Sequence, residues 1–200
     1  MPVRFLISKK QYLASGIYIG TKQKTKDMKE FIFEIRPDGL YLFNLRKTDE
    51  RIRIAANFIS RSKNVLLASR KKIAFSALET FSKITGIKVV TGRFIPGTLT
   101  NPKYEGFYEA DLVFVVDPLT DYKVVEEALK AQVPIMAICN SFNETKGIDF
   151  IIPANNSSRR ALATLFWILA REILKIRGEI KNYREYKYSI KDFEGVEEKS

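Results

Sequence analysis

Two clusters in this chain carry residue types that can do chemistry. The first is Gly92-Arg93-Phe94-Ile95-Pro96-Gly97-Thr98-Leu99-Thr100-Asn101-Pro102, a loop with hydroxyls, an amide and a guanidinium but no acid. Its prolines fix φ and remove donors, while its glycines allow conformations closed to other residues. Such a loop is predicted to hold a set irregular shape with amides, hydroxyls and the Arg93 guanidinium turned outward, a donor set suited to phosphate oxygens. The second is Asp117-Pro118-Leu119-Thr120-Asp121, which follows an apolar run. Two carboxylates there could hold magnesium, or could serve as a turn residue (Asp117) and a helix cap (Asp121).

Absences narrow the chemistry further. The chain has no histidine, so no Ser-His-Asp or Cys-His arrangement is available. Its single cysteine, Cys139, ends an apolar run and reads as a small buried hydrophobe. One cysteine excludes an internal disulfide framework and fits a reducing cytosol. Neither G-x-G-x-x-G nor G-x-x-x-x-G-K-[ST] occurs, so the usual nucleotide-binding loops are missing. Ser8, Lys9, Lys10 and Gln11 interrupt the start that a secretory signal would need, and no apolar run is of membrane-spanning length. A cytoplasmic protein is expected.

The formal net charge is +11, and it is segregated. From Arg51 to Lys103 eleven lysines and arginines face one acid, Glu79. A field of this kind attracts polyanions, and nucleic acid is the partner it fits best. The basic candidates are Lys22, Lys24 and Lys26 in an early connection that is either merely solvated or an RNA contact. Arg51, Arg53, Arg70, Lys71, Lys72 and Arg93 follow, with Thr98, Thr100 and Asn101 to fix register. Arg159 and Arg160 fall in the first turn of a predicted helix, where the dipole disfavours cations, so a polyanion would compensate them.

The elements that position these groups are legible from Asn64 onward. Strand-length apolar runs at 65–69, 87–91, 111–116, 134–139 and 150–152 alternate with helical periods at 72–84, 121–132 and 159–177. Leu-Val-Phe-Val-Val at 112–116 is too apolar for a strand with a wet face. Repeated β-α-β units imply an α/β fold, a doubly wound, mainly parallel sheet flanked by helices on both faces, Rossmann- or flavodoxin-like. Ahead of it, 6–15 reads as a helix, Pro37-Asp38-Gly39 as the turn of a hairpin, and Thr48 as the cap of the next helix. Trp167 lies off the apolar stripe of the long helix and is expected to be partly exposed. The expected organisation is one domain over 1–178 and a tail over 179–200. That tail mixes Tyr183, Tyr186 and Tyr188 with basic residues, then turns acidic at Glu194, Glu197 and Glu198. It reads as flexible, or as ordered by RNA through stacking.

Several ordered segments together resemble one family. Gly16-Ile17-Tyr18-Ile19-Gly20-Thr21 is similar to its G-x-H-I-G-T motif, Arg36-Pro37-Asp38-Gly39-Leu40 to its R-x-D-G-L turn, and Leu45 to Ile52 to its L-R-K-T-x-E-R-I stretch. Gly92 to Pro102 matches its hallmark G-R-F-x-P-G-T-x-T-N-P. Asp117-Pro118, Pro134 to Asn140, Ile152-Pro153 with Asn155-Asn156, and Leu169-Ala170-Arg171-Glu172 follow in place. The family is the small-subunit ribosomal protein called "S-two" in bacteria and "SA", or laminin-receptor-like, in eukaryotes, here of archaeal type. The resemblance runs from Ser8 to Gly178. It implies a non-enzymatic constituent of the small subunit, on the solvent side near the junction of head and body. It also implies binding to small-subunit rRNA and neighbouring ribosomal proteins, with no cofactor, membrane or small-molecule substrate. Two departures stand out. Tyr18 replaces the family's usual histidine, and Ser157-Ser158-Arg159-Arg160 replaces its lysine-glycine start of the long helix. The competing readings are an α/β enzyme holding a phosphorylated ligand and magnesium at Asp117 and Asp121, and a free RNA-binding regulator.

Overall fold

The structure, a computed structural model, describes residues 5–195. The N-terminal start at Met1 to Arg4, and Glu197 and Glu198 of the acidic end, lie outside the described residues.

Five strands form a parallel sheet: β3 (Val65–Ser69), β4 (Lys88–Thr91), β5 (Leu112–Val115), β6 (Ile135–Cys139) and β7 (Phe150–Pro153). Their spatial order is β4-β3-β5-β6-β7, so the chain starts within the sheet, moves to one edge, and returns to build the other side. This is the doubly wound order of flavodoxin-like folds, and its switch point lies between β3 and β5. β3, β5 and β6 are buried at every position, because both sheet faces are covered.

On one face α2 (Leu45–Arg61), α3 (Phe75–Thr85) and α5 (Arg159–Ile176) pack on Leu67, Phe114 and Ile138. On the other face the one α-helix among the described residues is α4 (Tyr122–Lys130). The rest of that face is covered by Met28 and Phe31 from the early connection and by Phe94 and Leu99 from the hallmark loop. The β4-to-β5 connection therefore does a helix's covering job without helical geometry.

α1 (Lys9–Ser15) is capped by Ser8 in a reciprocal box with Gln11. The hairpin forms as expected from β1 (Ile32–Ile35) and β2 (Tyr41–Phe43). The Gly16–Thr21 motif joins it to the sheet edge: the Gly20 N–H donates to the Tyr41 carbonyl at 2.8 Å. A Cβ on Gly20 would stand 3.0 Å from both Ser141 Oγ and Tyr41 O, which explains glycine there.

The cap of α2 is Asn44, four residues before the expected Thr48. Thr48 is buried within the helix, and its hydroxyl donates to the Pro153 carbonyl at 2.9 Å. The tail also differs from expectation. Its described part folds back over α3 and α5, ending in the short helix α6 (Ile190–Glu194). Phe193 is fully buried, Trp167 donates its indole N–H to the Tyr188 carbonyl at 2.7 Å, and the Tyr186 ring packs edge-on to Trp167. Aromatics set among charges gave the segment a polar average, yet they land together on one strip of the domain. Trp167 is partly exposed as expected, and what covers the rest of it is this chain's own tail.

Buried Arg171 and Glu172 of α5 hold both chain ends. Arg171 Nη2 donates to the Leu6 carbonyl at 2.8 Å, and the Tyr183 hydroxyl donates to Glu172 Oε2 at 3.1 Å.

Candidate nucleic-acid interface

Parallel strands deliver all their following loops to one edge, and most of the basic candidates arrive there. Arg70, Lys71 and Lys72 follow β3, Arg93 follows β4, and Arg159 and Arg160 open the helix after β7. The basic connection is tied to the loop after β6, where the Thr25 N–H donates to Ser141 O and the Thr25 hydroxyl to Asn143 O, both at 2.9 Å. Lys22, Lys24 and Lys26, all exposed, are held at this edge, with Lys24 Nζ 4.9 Å above the Tyr41 ring. Arg51 and Arg53 do not join them. They lie on α2, Arg51 over the Phe31 and Phe150 rings and Arg53 paired with Asp49 at 3.0 Å.

Beneath the edge lies a buried polar network that takes Lys71 away from the surface. Lys71 Nζ sits 2.7 Å from Asp117 Oδ2 and donates to the Asn156 carbonyl at 3.0 Å. Asn143 donates to Asp117 Oδ1 at 2.7 Å, and the Thr120 hydroxyl to Oδ2 at 2.8 Å. Burial pushes the Asp117 carboxyl up, but the Lys71 ammonium and the other donors outweigh it and leave it below the ordinary carboxylate range. Asp121 occupies the predicted cap position, yet its carboxylate accepts the Arg70 N–H at 2.7 Å and the Asp117 N–H at 3.3 Å rather than capping α4. Burial pushes Asp121 up to about 6 against the pull of these donors, with the Asp117 charge adding to the rise.

This geometry does not fit magnesium. The position beside Asp117 is filled by an internal ammonium, and Asp121 is turned to backbone donors. Among the described residues no group of three or more acidic, cysteine or histidine side chains converges. Cys139 is fully buried and its thiol is pushed up by burial and the Asp117 charge, which makes it inert.

The hallmark loop holds a set shape as predicted, but its amides and hydroxyls have internal acceptors. Glu127 of α4, itself buried, accepts the Gly97 N–H at 2.9 Å, the Leu99 N–H at 2.8 Å and the Thr100 hydroxyl at 3.2 Å. Gly97 has φ of 96°, which allows its amide and that of Leu99 to converge on one carboxylate. Thr98 is buried, and its hydroxyl donates to the Ile95 carbonyl at 2.7 Å. The Thr98 and Thr100 hydroxyls and the Lys71 ammonium are thus engaged within the fold. The Thr100 partner was not legible in sequence because Glu127 lies far along the chain from the loop it anchors. Arg93, Thr100 and Asn101 remain exposed.

At the switch point a concavity of about 620 Å³ opens, lined by Arg70, Lys72, Phe75, Arg93, Tyr122 and Lys123, among others, and by no acid. Arg70, Lys72 and Arg93 have no carboxylate partner among the described residues. Sequence reasoning missed Tyr122 and Lys123, although an aromatic-basic pair just past a strand's carboxyl end was a readable signal. At the start of α5, Arg160 pairs with Glu194 of the returning tail at 3.8 Å, so part of the expected anion is internal. Tyr18, in the histidine's place, lines a separate apolar groove of about 450 Å³ with Phe5, Leu13, Phe33 and Leu42.

The family model described as "Ribosomal protein S2" matches residues 12–104 and 108–175. The chain belongs to the ribosomal protein S2 family. It is 46% identical over 196 residues to the small ribosomal subunit protein uS2 of Picrophilus torridus, covering 97% of this chain and 98% of that one. It is also 43% identical to the uS2 proteins of Thermoplasma acidophilum and Thermoplasma volcanium over the same length and shares. The matched span includes every strand of the S2 sheet described above and the whole hallmark loop.

Proposed function

We propose that this chain is a structural constituent of the small ribosomal subunit in the cytoplasm, binding small-subunit rRNA and neighbouring ribosomal proteins. Its role is positioning and assembly rather than catalysis. The observation that carries this reading is the likeness to small-subunit proteins along nearly the full length of chain and relatives alike. The geometry supports the choice of RNA face. Lys22, Lys24, Lys26, Arg70, Lys72 and Arg93 are exposed at the carboxyl edge of the sheet, with Arg159 and Arg160 at its far side, and Asn101 is exposed farther along the hallmark loop. Cations neutralise phosphates there and Asn101 sets register. Thr98, Thr100 and Lys71 act indirectly, by holding the loops that carry those groups. The apolar groove beside Tyr18, with Phe33 strongly exposed, suits a protein neighbour better than RNA. No helix among the described residues is long and apolar enough to cross a membrane.

The test is sedimentation of a native extract at low and high salt, probing for this chain. The reading expects co-migration with small subunits that loosens as salt rises. A chain that stays at the top of the gradient at every salt concentration would refute it and favour a free RNA-binding regulator.

A further inference from the structure

The concavity at the switch point has a shape and lining that a duplex surface does not need. Its volume of about 620 Å³ lies in the range that encloses a small molecule, roughly 300–1,000 Å³. Its cations stand on three separate connections, Arg70 and Lys72 after β3, Arg93 after β4 and Lys123 at the start of α4. Lys123 is partly engaged, 3.5 Å from Glu126 and 4.8 Å above the Tyr122 ring. Tyr122 is 46% exposed where it lines the cleft. The backing is stiff: Asp121 pins the Arg70 amide, and the Gly92 N–H donates to the Ser69 carbonyl at 2.8 Å.

We propose that this cleft receives one extruded, unpaired nucleotide of the RNA, its base against Tyr122 and its flanking phosphates on Arg70, Lys72 and Arg93. The inference rests on the RNA-contact reading and names the form of RNA that reading leaves open. Rigid duplex backbone is read by flat or convex basic surfaces, whereas an unstacked base needs a recess with an aromatic wall. A nucleotide within a chain also carries phosphate on both sides, which matches cations distributed around the recess. A free mononucleotide has no second phosphate to use them. The apolar wall of Phe75 and Tyr122 offers stacking without side-chain amides or carboxylates to read a base edge, so the site is tolerant of base identity.

The test is fluorescence anisotropy of the full chain with two RNA hairpins that differ only in one bulged adenosine, with AMP as competitor. Wild type is expected to prefer the bulged hairpin. Tyr122→Ala is expected to lose roughly tenfold on the bulged hairpin and nothing on the plain one, while Tyr122→Phe keeps the preference. Arg93→Glu is expected to weaken binding and reduce the salt slope, the signature of a lost phosphate contact. Equal wild-type affinity for the two hairpins, or equal loss on both with Tyr122→Ala, overturns the proposal. Displacement of the bulged hairpin by AMP overturns it in favour of a mononucleotide site. If these fail while the chain still co-sediments with small subunits, the cleft assignment falls and the ribosomal reading stands. Absence from subunits removes both.

Discussion

Replacing Glu127 with alanine tests whether the hallmark loop is held from within. The carboxylate accepts the Gly97 and Leu99 amides and the Thr100 hydroxyl at 2.8–3.2 Å, and the residue is buried. A hydrogen bond to a charged group contributes about 1.5–3 kcal/mol, and an amide left buried without a partner costs about 1–3 kcal/mol. Water reaches the Gly97 and Thr100 ends of the site more easily than the Leu99 amide, so the losses do not simply add. The expected loss is about 3–5 kcal/mol, a large share of the roughly 5–15 kcal/mol that holds a domain together. Glu127→Gln keeps one acceptor oxygen and should lose about 1–2 kcal/mol. Urea unfolding gives the totals, and amide exchange at Gly97 and Leu99 locates them. Because Phe94 and Leu99 cover the sheet, loosening the loop also lowers RNA affinity through misplacement of Arg93. A Glu127→Ala protein within about 0.5 kcal/mol of wild type, with the two amides still protected, would show that the loop is shaped by its prolines and glycines alone.

Three further outcomes follow from the same contacts. Arg93→Glu, at an exposed position without an internal partner, should weaken incorporation into subunits far more than it lowers the unfolding midpoint; equal losses would remove Arg93 from the interface. Asp121 has a folded pKa of about 6 against an unfolded value of about 3.9, so its contribution is fully present below pH 4 and is lost as pH rises to 6. Asp117, shifted the other way, loses its contribution only as pH falls through its depressed folded value. Urea titrations should therefore find about 2–3 kcal/mol less stability from Asp121 at pH 7 than at pH 4, a slope that Asp121→Asn abolishes; an unchanged slope would contradict the assignment. Phe193→Ala removes a fully buried ring from the returning tail. It should red-shift the emission of Trp167, the single tryptophan, as the Tyr188 carbonyl and Tyr186 ring leave it, and unaltered emission would refute the docking.

The sheet was legible because its central strands are buried on both faces and are bounded by short punctuating residues. Leu112–Val115 has no polar position to misread, and Gly86, at φ of 71°, marks the end of α3. The site was only half legible. Exposed charges such as Arg70 and Arg93 are readable from charge segregation, since nothing in the fold neutralises them. Lys71 looks identical to Lys72 in sequence, and only the positions of Asp117 and Asn156 show that one points inward. The Thr100 hydroxyl is turned to Glu127 by tertiary packing, and the Thr98 hydroxyl to the nearby Ile95 carbonyl, neither of which the loop's composition reveals. The tail misled through averaging: Phe193 and Tyr186 bury on α5 and α3 while intervening lysines keep the mean polarity high.

The most direct measurement is ultraviolet crosslinking of purified small subunits, followed by mass spectrometry of the peptides of this chain that carry RNA. The account predicts adducts on residues 22–26, 70–72, 93 and 122–123, all at the carboxyl edge of the sheet. Adducts confined to the opposite side, on Lys83, Lys175 or Lys181 beside α3, α5 and the tail, would contradict it.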